Sequence, residues 1–107
     1  MDVVLLDMPK IRNNAFLMKK YIEATLLVQG TVSITEVEVA FKMTDTAIRK
    51  VFNDLLTCSQ DISKAKEGNR VTLKVSQNYK PVNLRQNPEQ FLEAFDYCKA
   101  EVTFEID

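Results

Sequence analysis

Arg49 and Asn53 stand four residues apart in the stretch from Ser33 to Leu56, SITEVEVAFKMTDTAIRKVFNDLL. On a helix that spacing places both side chains on one side. A guanidinium can form a two-bond fork with guanine O6 and N7, and a carboxamide can do the same with adenine N6 and N7. Thr44, Thr46 and Lys50 surround them. These residue types, at this spacing, point to the chemistry of reading a DNA major groove. Asp45 is the awkward member, because a carboxylate repels phosphate. It must cap the helix, point away from the DNA backbone, or accept from a cytosine amino group.

Such groups need a helix to carry them and a second helix to hold it. Ser33 and Glu36 have the spacing of a capping box at the start of a first helix. Ile34, Val37 and Phe41 then recur on one face. Met43 falls in a turn, and Thr44 or Asp45 can cap a second helix. Ile48, Val51, Phe52 and Leu55 would face inward, leaving Thr46, Arg49, Lys50 and Asn53 outside. With Val37, Phe41, Met43, Ile48 and Val51 buried, no charge enters the core. A frame shifted by two residues would bury Asp45, which is costly.

This pair resembles the helix-turn-helix of the winged-helix superfamily of bacterial, phage and plasmid DNA-binding regulators. The motif, residues 33–56, covers about a quarter of the 107 residues, and roughly two thirds with its flanking elements. Glu38 stands where such motifs often carry a small residue, and Lys42 where they often carry glycine. The resemblance implies an α/β, mostly α, winged helix-turn-helix with flanking helices that binds double-stranded DNA, and the apolar faces of the first and last helices predict a homodimer built from them.

The segment that follows fits a wing. Asp61 to Ser76 changes from helical to alternating periodicity, which predicts a β-hairpin across 61–76. Gly68 in Glu67-Gly68-Asn69 is free to turn it. Ile62, Lys64 and Lys66 alternate with Ser63 and Ala65, and Val71, Leu73 and Val75 with Arg70, Thr72 and Lys74. One face is expected to be apolar and the other basic, as a wing along a DNA backbone requires. Lys50, Lys64, Lys66 and Arg70 are the expected phosphate contacts. The plainer reading of the hairpin lysines is that they solubilise a sheet edge.

Upstream, Asp2 to Met8 reads as a strand or an extended arm, and Pro9 opens a long helix over 10–29. Ile11, Ala15, Met18, Ile22 and Leu26 form its apolar stripe, widened by Phe16, Tyr21 and Leu27. A stripe that wide predicts burial on more than one side, with a second subunit as one candidate cover. Gly30 ends the helix, and Thr31-Val32 is a short extended link that a winged helix pairs as its first strand. Downstream, Gln77 to Asn87 is a loop. Asn87-Pro88-Glu89 starts a helix over 88–100 that faces Phe91, Leu92, Phe95 and Cys98 inward. Val102, Phe104 and Ile106 alternate with polar residues, so the chain is expected to finish as a strand.

The whole chain, residues 1–107, reads as a single domain. The formal net charge of −1 is unpromising for a polyanion binder, but its distribution is not. Residues 42–85 hold nine Lys or Arg against four Asp or Glu, while residues 86–107 hold one Lys against six acids. A basic middle beside an acidic end favours nucleic acid on one face.

The opening residues lack a signal peptide's positive region, no apolar run is long enough for a membrane span, and two cysteines make no disulfide framework. A cytoplasmic protein with reduced thiols is the expectation. With no His, no Gly-rich phosphate loop and no metal-ligand spacing, neither an enzyme nor a cofactor or metal site is expected. Three functions remain. The first is sequence-specific DNA binding, by a small transcription regulator or a centromere-type protein. The second is a winged helix acting as a protein–protein adaptor, and the third a redox sensor using Cys58.

Overall fold

The computed structural model describes residues 15–41, 43–68 and 70–106, with backbone alone for Glu67 and for 98–106. In chain order these form helix α1 (Ala15–Gln29), strand β1 (Thr31–Ser33), helices α2 (Ile34–Phe41) and α3 (Asp45–Cys58), strands β2 (Ile62–Glu67) and β3 (Arg70–Val75), and helix α4 (Pro88–Ile106). The described chain is mostly helical, with a small antiparallel sheet in the order β1-β3-β2.

Local chemistry sets these boundaries. Gly30 takes φ +83° and its N–H closes on the Leu26 carbonyl at 2.8 Å, ending α1 where an L side chain would be strained. The chain reverses directly into β1, whose Val32 pairs with Leu73. Ser33 then caps α2. Its Oγ accepts the Glu36 N–H at 3.2 Å, and the Glu36 carboxylate accepts the Ser33 N–H at 3.4 Å. Gly68, at φ +61°, turns β2 into β3. At the hairpin's base Ser76 donates to Asp61 from both N–H and hydroxyl, each at 2.9 Å. Asn87 caps α4 by accepting the Gln90 N–H at 3.0 Å, with Pro88 in the first turn.

The core joins every described element. Met18, Ile22 and Leu26 of α1 meet Val37 and Phe41 of α2, Ile48, Val51, Phe52 and Leu55 of α3, and Val32, Ile62, Val71 and Leu73 of the sheet. Tyr21, Phe41 and Phe95 form a ring cluster with centroids 5.0–5.4 Å apart, which seats α4 against α1 and α2. Each large side chain removed from water here contributes about 1.5–3 kcal/mol.

Three expectations need correction. The α1 stripe is narrower at its start, because Ala15 and Phe16 are exposed, Phe16 by 53%. From Ile22 to Leu26 α1 is buried on every side, but the second cover is the chain's own: Ala24 packs with Leu84 and Phe91. Last, the backbone at 102–106 continues α4 as helix. A strand needs a neighbour to bond with, whereas each residue added to a running helix satisfies its own backbone groups. The expected arm over 2–8 and the helix start at 9–14 lie outside the described residues.

Glu23 is what holds the α1 cover in place. Its side chain has no exposed surface. Both carboxylate oxygens accept N–H groups from three consecutive residues: Val82 at 2.7 Å, Asn83 at 2.9 and 3.2 Å, and Leu84 at 2.8 Å. These loop amides have found a buried partner, as buried backbone donors must. Beside it the Tyr79 hydroxyl is buried close to the Glu23 carboxylate without a well-formed hydrogen bond to any described residue. Burial, reinforced by the Glu23 charge, holds the Tyr79 pKa well above its usual 10.0.

Two opposite outcomes follow for neighbouring residues. Glu23→Ala strands three amides and should cost about 2–4 kcal/mol in urea denaturation. Tyr79→Phe removes a hydroxyl without a well-formed hydrogen bond and should leave stability unchanged or raise it by up to about 1 kcal/mol. The raised Tyr79 pKa favours the neutral phenol in the fold, so its contribution is intact below about pH 10 and is lost as pH climbs further. The alkaline fall in stability should accordingly be shallower in Tyr79→Phe.

Candidate nucleic-acid interface

Helix α3 separates its side chains cleanly. Ile48, Val51, Phe52 and Leu55 are buried. Thr46, Lys50 and Asn53 are exposed in a row at steps of four and three, and Thr57 extends that row by one turn. At about 100° per residue the row lies opposite the buried face. Thr57 is not among the side chains expected from sequence to face outward, although the same step pattern reaches it. Its hydroxyl donates to the Asn53 carbonyl at 2.9 Å.

Thr44 and Asp45 take separate roles at the start of α3. Thr44 is the N-cap: its backbone is extended and its Oγ1 accepts the Ala47 N–H at 3.2 Å. Asp45 instead pairs along the helix with Arg49, whose Nε lies 3.1 and 3.0 Å from the two carboxylate oxygens. Arg49 is half-buried and sits on the flank of α3, about 100° from the centre of the buried row. It is thus about 100° from Lys50 but only about 40° from Asn53, with which it shares a side of the helix. On the other flank Asp54 pairs with Lys19 of α1 at 3.8 Å. Glu38 points to solvent, and Ala40 is the small buried residue of α2.

The hairpin's charges fall differently from the expectation of one apolar and one basic face. Lys64 pairs with Leu73 and Lys66 with Val71. Directly opposed residues share a sheet face, so both lysines lie on the core side with Ile62, Val71 and Leu73. Strand β2 is an edge, and both lysine side chains reach solvent past the rim of the core. Arg70, Thr72 and Lys74 occupy the other face with Ser63 and Ala65. The cause is register: pairing Glu67 with Arg70 brings the β2 lysines into phase with the apolar residues of β3.

Lys64 and Lys66 therefore share the α3 side of the sheet, and Arg70 does not. Arg70 instead lines an open cleft of ≈ 510 Å³ with Tyr21, Ser33, Thr35, Glu36 and Val39. Burial, opposed by a hydrogen bond with Thr25 and aided by the Glu36 and Asp96 charges, raises the Tyr21 pKa.

Glu23 was the other residue missed. The one acid inside the apolar stretch YIEATLLV was its available signal. Cys58, the last residue of α3, is a free and exposed thiol. The Cys98 side chain lies outside the described residues. No helix among the described residues is long and apolar enough to cross a membrane. No protein-family model, curated protein or solved structure matches the chain.

Capping and solvent-facing positions on α3 separate by stability. Thr44→Ala should cost about 1 kcal/mol in thermal or urea unfolding, while Asn53→Ala should stay within about 0.5 kcal/mol of the parent.

Proposed function

We propose that this chain is a winged helix-turn-helix that binds double-stranded DNA sequence-specifically, with α3 as recognition helix and the β2–β3 hairpin as wing. The observation that carries the proposal is the α3 row of Thr46, Lys50 and Asn53, exposed opposite the side chains that fix α3 to the core. A helix held that way can enter a major groove without disturbing its packing. The element order, the sheet order β1-β3-β2 and the exposed Lys64 and Lys66 on the α3 side support the same reading. Lys50, Lys64 and Lys66 are the phosphate contacts, and Thr46 and Asn53 face base edges, with Arg49 reaching in from the flank. Arg70, on the opposite sheet face, contributes less. The role is that of a small cytoplasmic transcription regulator or a plasmid or phage centromere-type binder, and not of an enzyme.

The active form is a homodimer, with recognition helices about 34 Å apart, one turn of DNA. Its support is the exposed apolar surface of Phe16, Leu27 and Val28 on α1 and of Tyr97 on α4. A second reading, a protein adaptor, draws on Val39, which is 70% exposed at the cleft that Arg70 lines.

Binding measured across a salt series separates the contact classes. Arg49→Ala should cost about 1–3 kcal/mol and relax base preference. Lys66→Ala should weaken all sequences alike and lower the salt slope by about one unit. Unchanged affinity in both, with a protein complex lost in Val39→Asp, would replace this reading with the adaptor. For the dimer, sedimentation at micromolar concentration should give two chains per particle, and a monomer throughout would remove that part of the proposal.

A further inference from the structure

Asp45 is costly at the start of a helix that meets phosphates, yet both its oxygens are engaged with one neighbour. Arg49 Nε lies 3.1 and 3.0 Å from them. Helical side chains lean toward the N-terminus, so the carboxylate at position 45 draws the guanidinium back over the first turn of α3. That end of a recognition helix enters the groove first. With Nε occupied, the two terminal nitrogens of Arg49 remain as a paired donor edge, and no partner for either is found among the described residues. A planar fork fixed at its root loses little freedom when it meets a matching pair of acceptors. The pair is also formally neutral, so it adds little to the general attraction for phosphate.

We infer that Asp45 is a specificity-determining positioning residue: it presents the terminal nitrogens of Arg49 to a guanine edge and trades general DNA affinity for discrimination. This rests on the DNA-binding reading above and names the device by which it selects sequence. The contact is an exposed one in the free protein, with side chains 52% and 40% accessible. An exposed i,i+4 pair adds little to stability, so its effect belongs to the bound state, where water is displaced.

The test compares the parent chain with Asp45→Asn, Asp45→Glu and Arg49→Ala. Bound duplexes are selected from a random pool, and affinity for an unselected duplex is measured in parallel. Thermal melting confirms that each variant remains folded.

The parent should enrich a site with a strongly preferred guanine, and Arg49→Ala should lose that preference. Asp45→Asn should lose it as well, with discrimination at that position falling about tenfold. Its affinity for the unselected duplex should rise a few-fold, since a negative charge has gone. Asp45→Glu, which can still pair at the same spacing, should restore most of the preference. A residue that served only the helix end would leave discrimination untouched.

If Asp45→Asn keeps the guanine preference that Arg49→Ala loses, the inference is overturned and the DNA-binding reading stands. If the parent enriches a site that Arg49→Ala keeps, Arg49 is not the reader and the inference falls alone. If the parent enriches nothing, both fall together.

Discussion

A helix turns by about 100° per residue, so its buried side chains dictate the remainder. Once Ile48, Val51, Phe52 and Leu55 are fixed in the core, Thr46, Lys50, Asn53 and Thr57 have no alternative to solvent. Arg49 is confined to a flank by the same geometry. Rotating α3 to bring Arg49 to the front would expose part of the apolar row and carry Asp54 toward the core, where an unpaired carboxylate is costly. The outward face of α3 thus follows from the packing of its inner one. That packing depends in turn on α1, on the sheet and on the aromatic cluster that seats α4.

Glu23 extends the constraint to the chain's second half. By gathering the amides of residues 82–84 it pins the loop that leads into α4. Phe91 and Phe95 then reach Ala24, Tyr21 and Phe41. The consequence for assembly is direct. Much of the apolar surface on α1 that a second subunit could have covered is taken by this loop and α4. The large apolar side chains left exposed on these two helices are Phe16, Leu27, Val28 and Tyr97.

Most of the fold was legible because local and long-range preferences agree. The Ser33–Glu36 box, the caps at Thr44 and Asn87, and the glycines at 30 and 68 all mark boundaries by short-range chemistry. The three- and four-residue steps identified the α2 and α3 cores correctly. What escaped depends on distant partners. The face of Lys64 and Lys66 follows from the register with β3, which alternation within one strand does not specify. Glu23 owes its burial to amides some sixty residues away. Residues 102–106 alternate like a strand, yet the running helix α4 already satisfies their backbone. In the candidate site the residue types could be read one by one, but the sequence left three roles open for Asp45, and the structure adds a fourth, the pair with Arg49.

The central claim is that α3 and the β2–β3 edge form one face for DNA. Its most direct test is an amide-resolved NMR titration of the chain with a short duplex at low salt. The account predicts shifts concentrated at residues 44–57 and 62–67, weakening together as salt is raised, with Leu27 and Val82 undisturbed. Shifts centred on Thr35, Val39 and the Arg70 cleft, or no shifts at any salt, would contradict it.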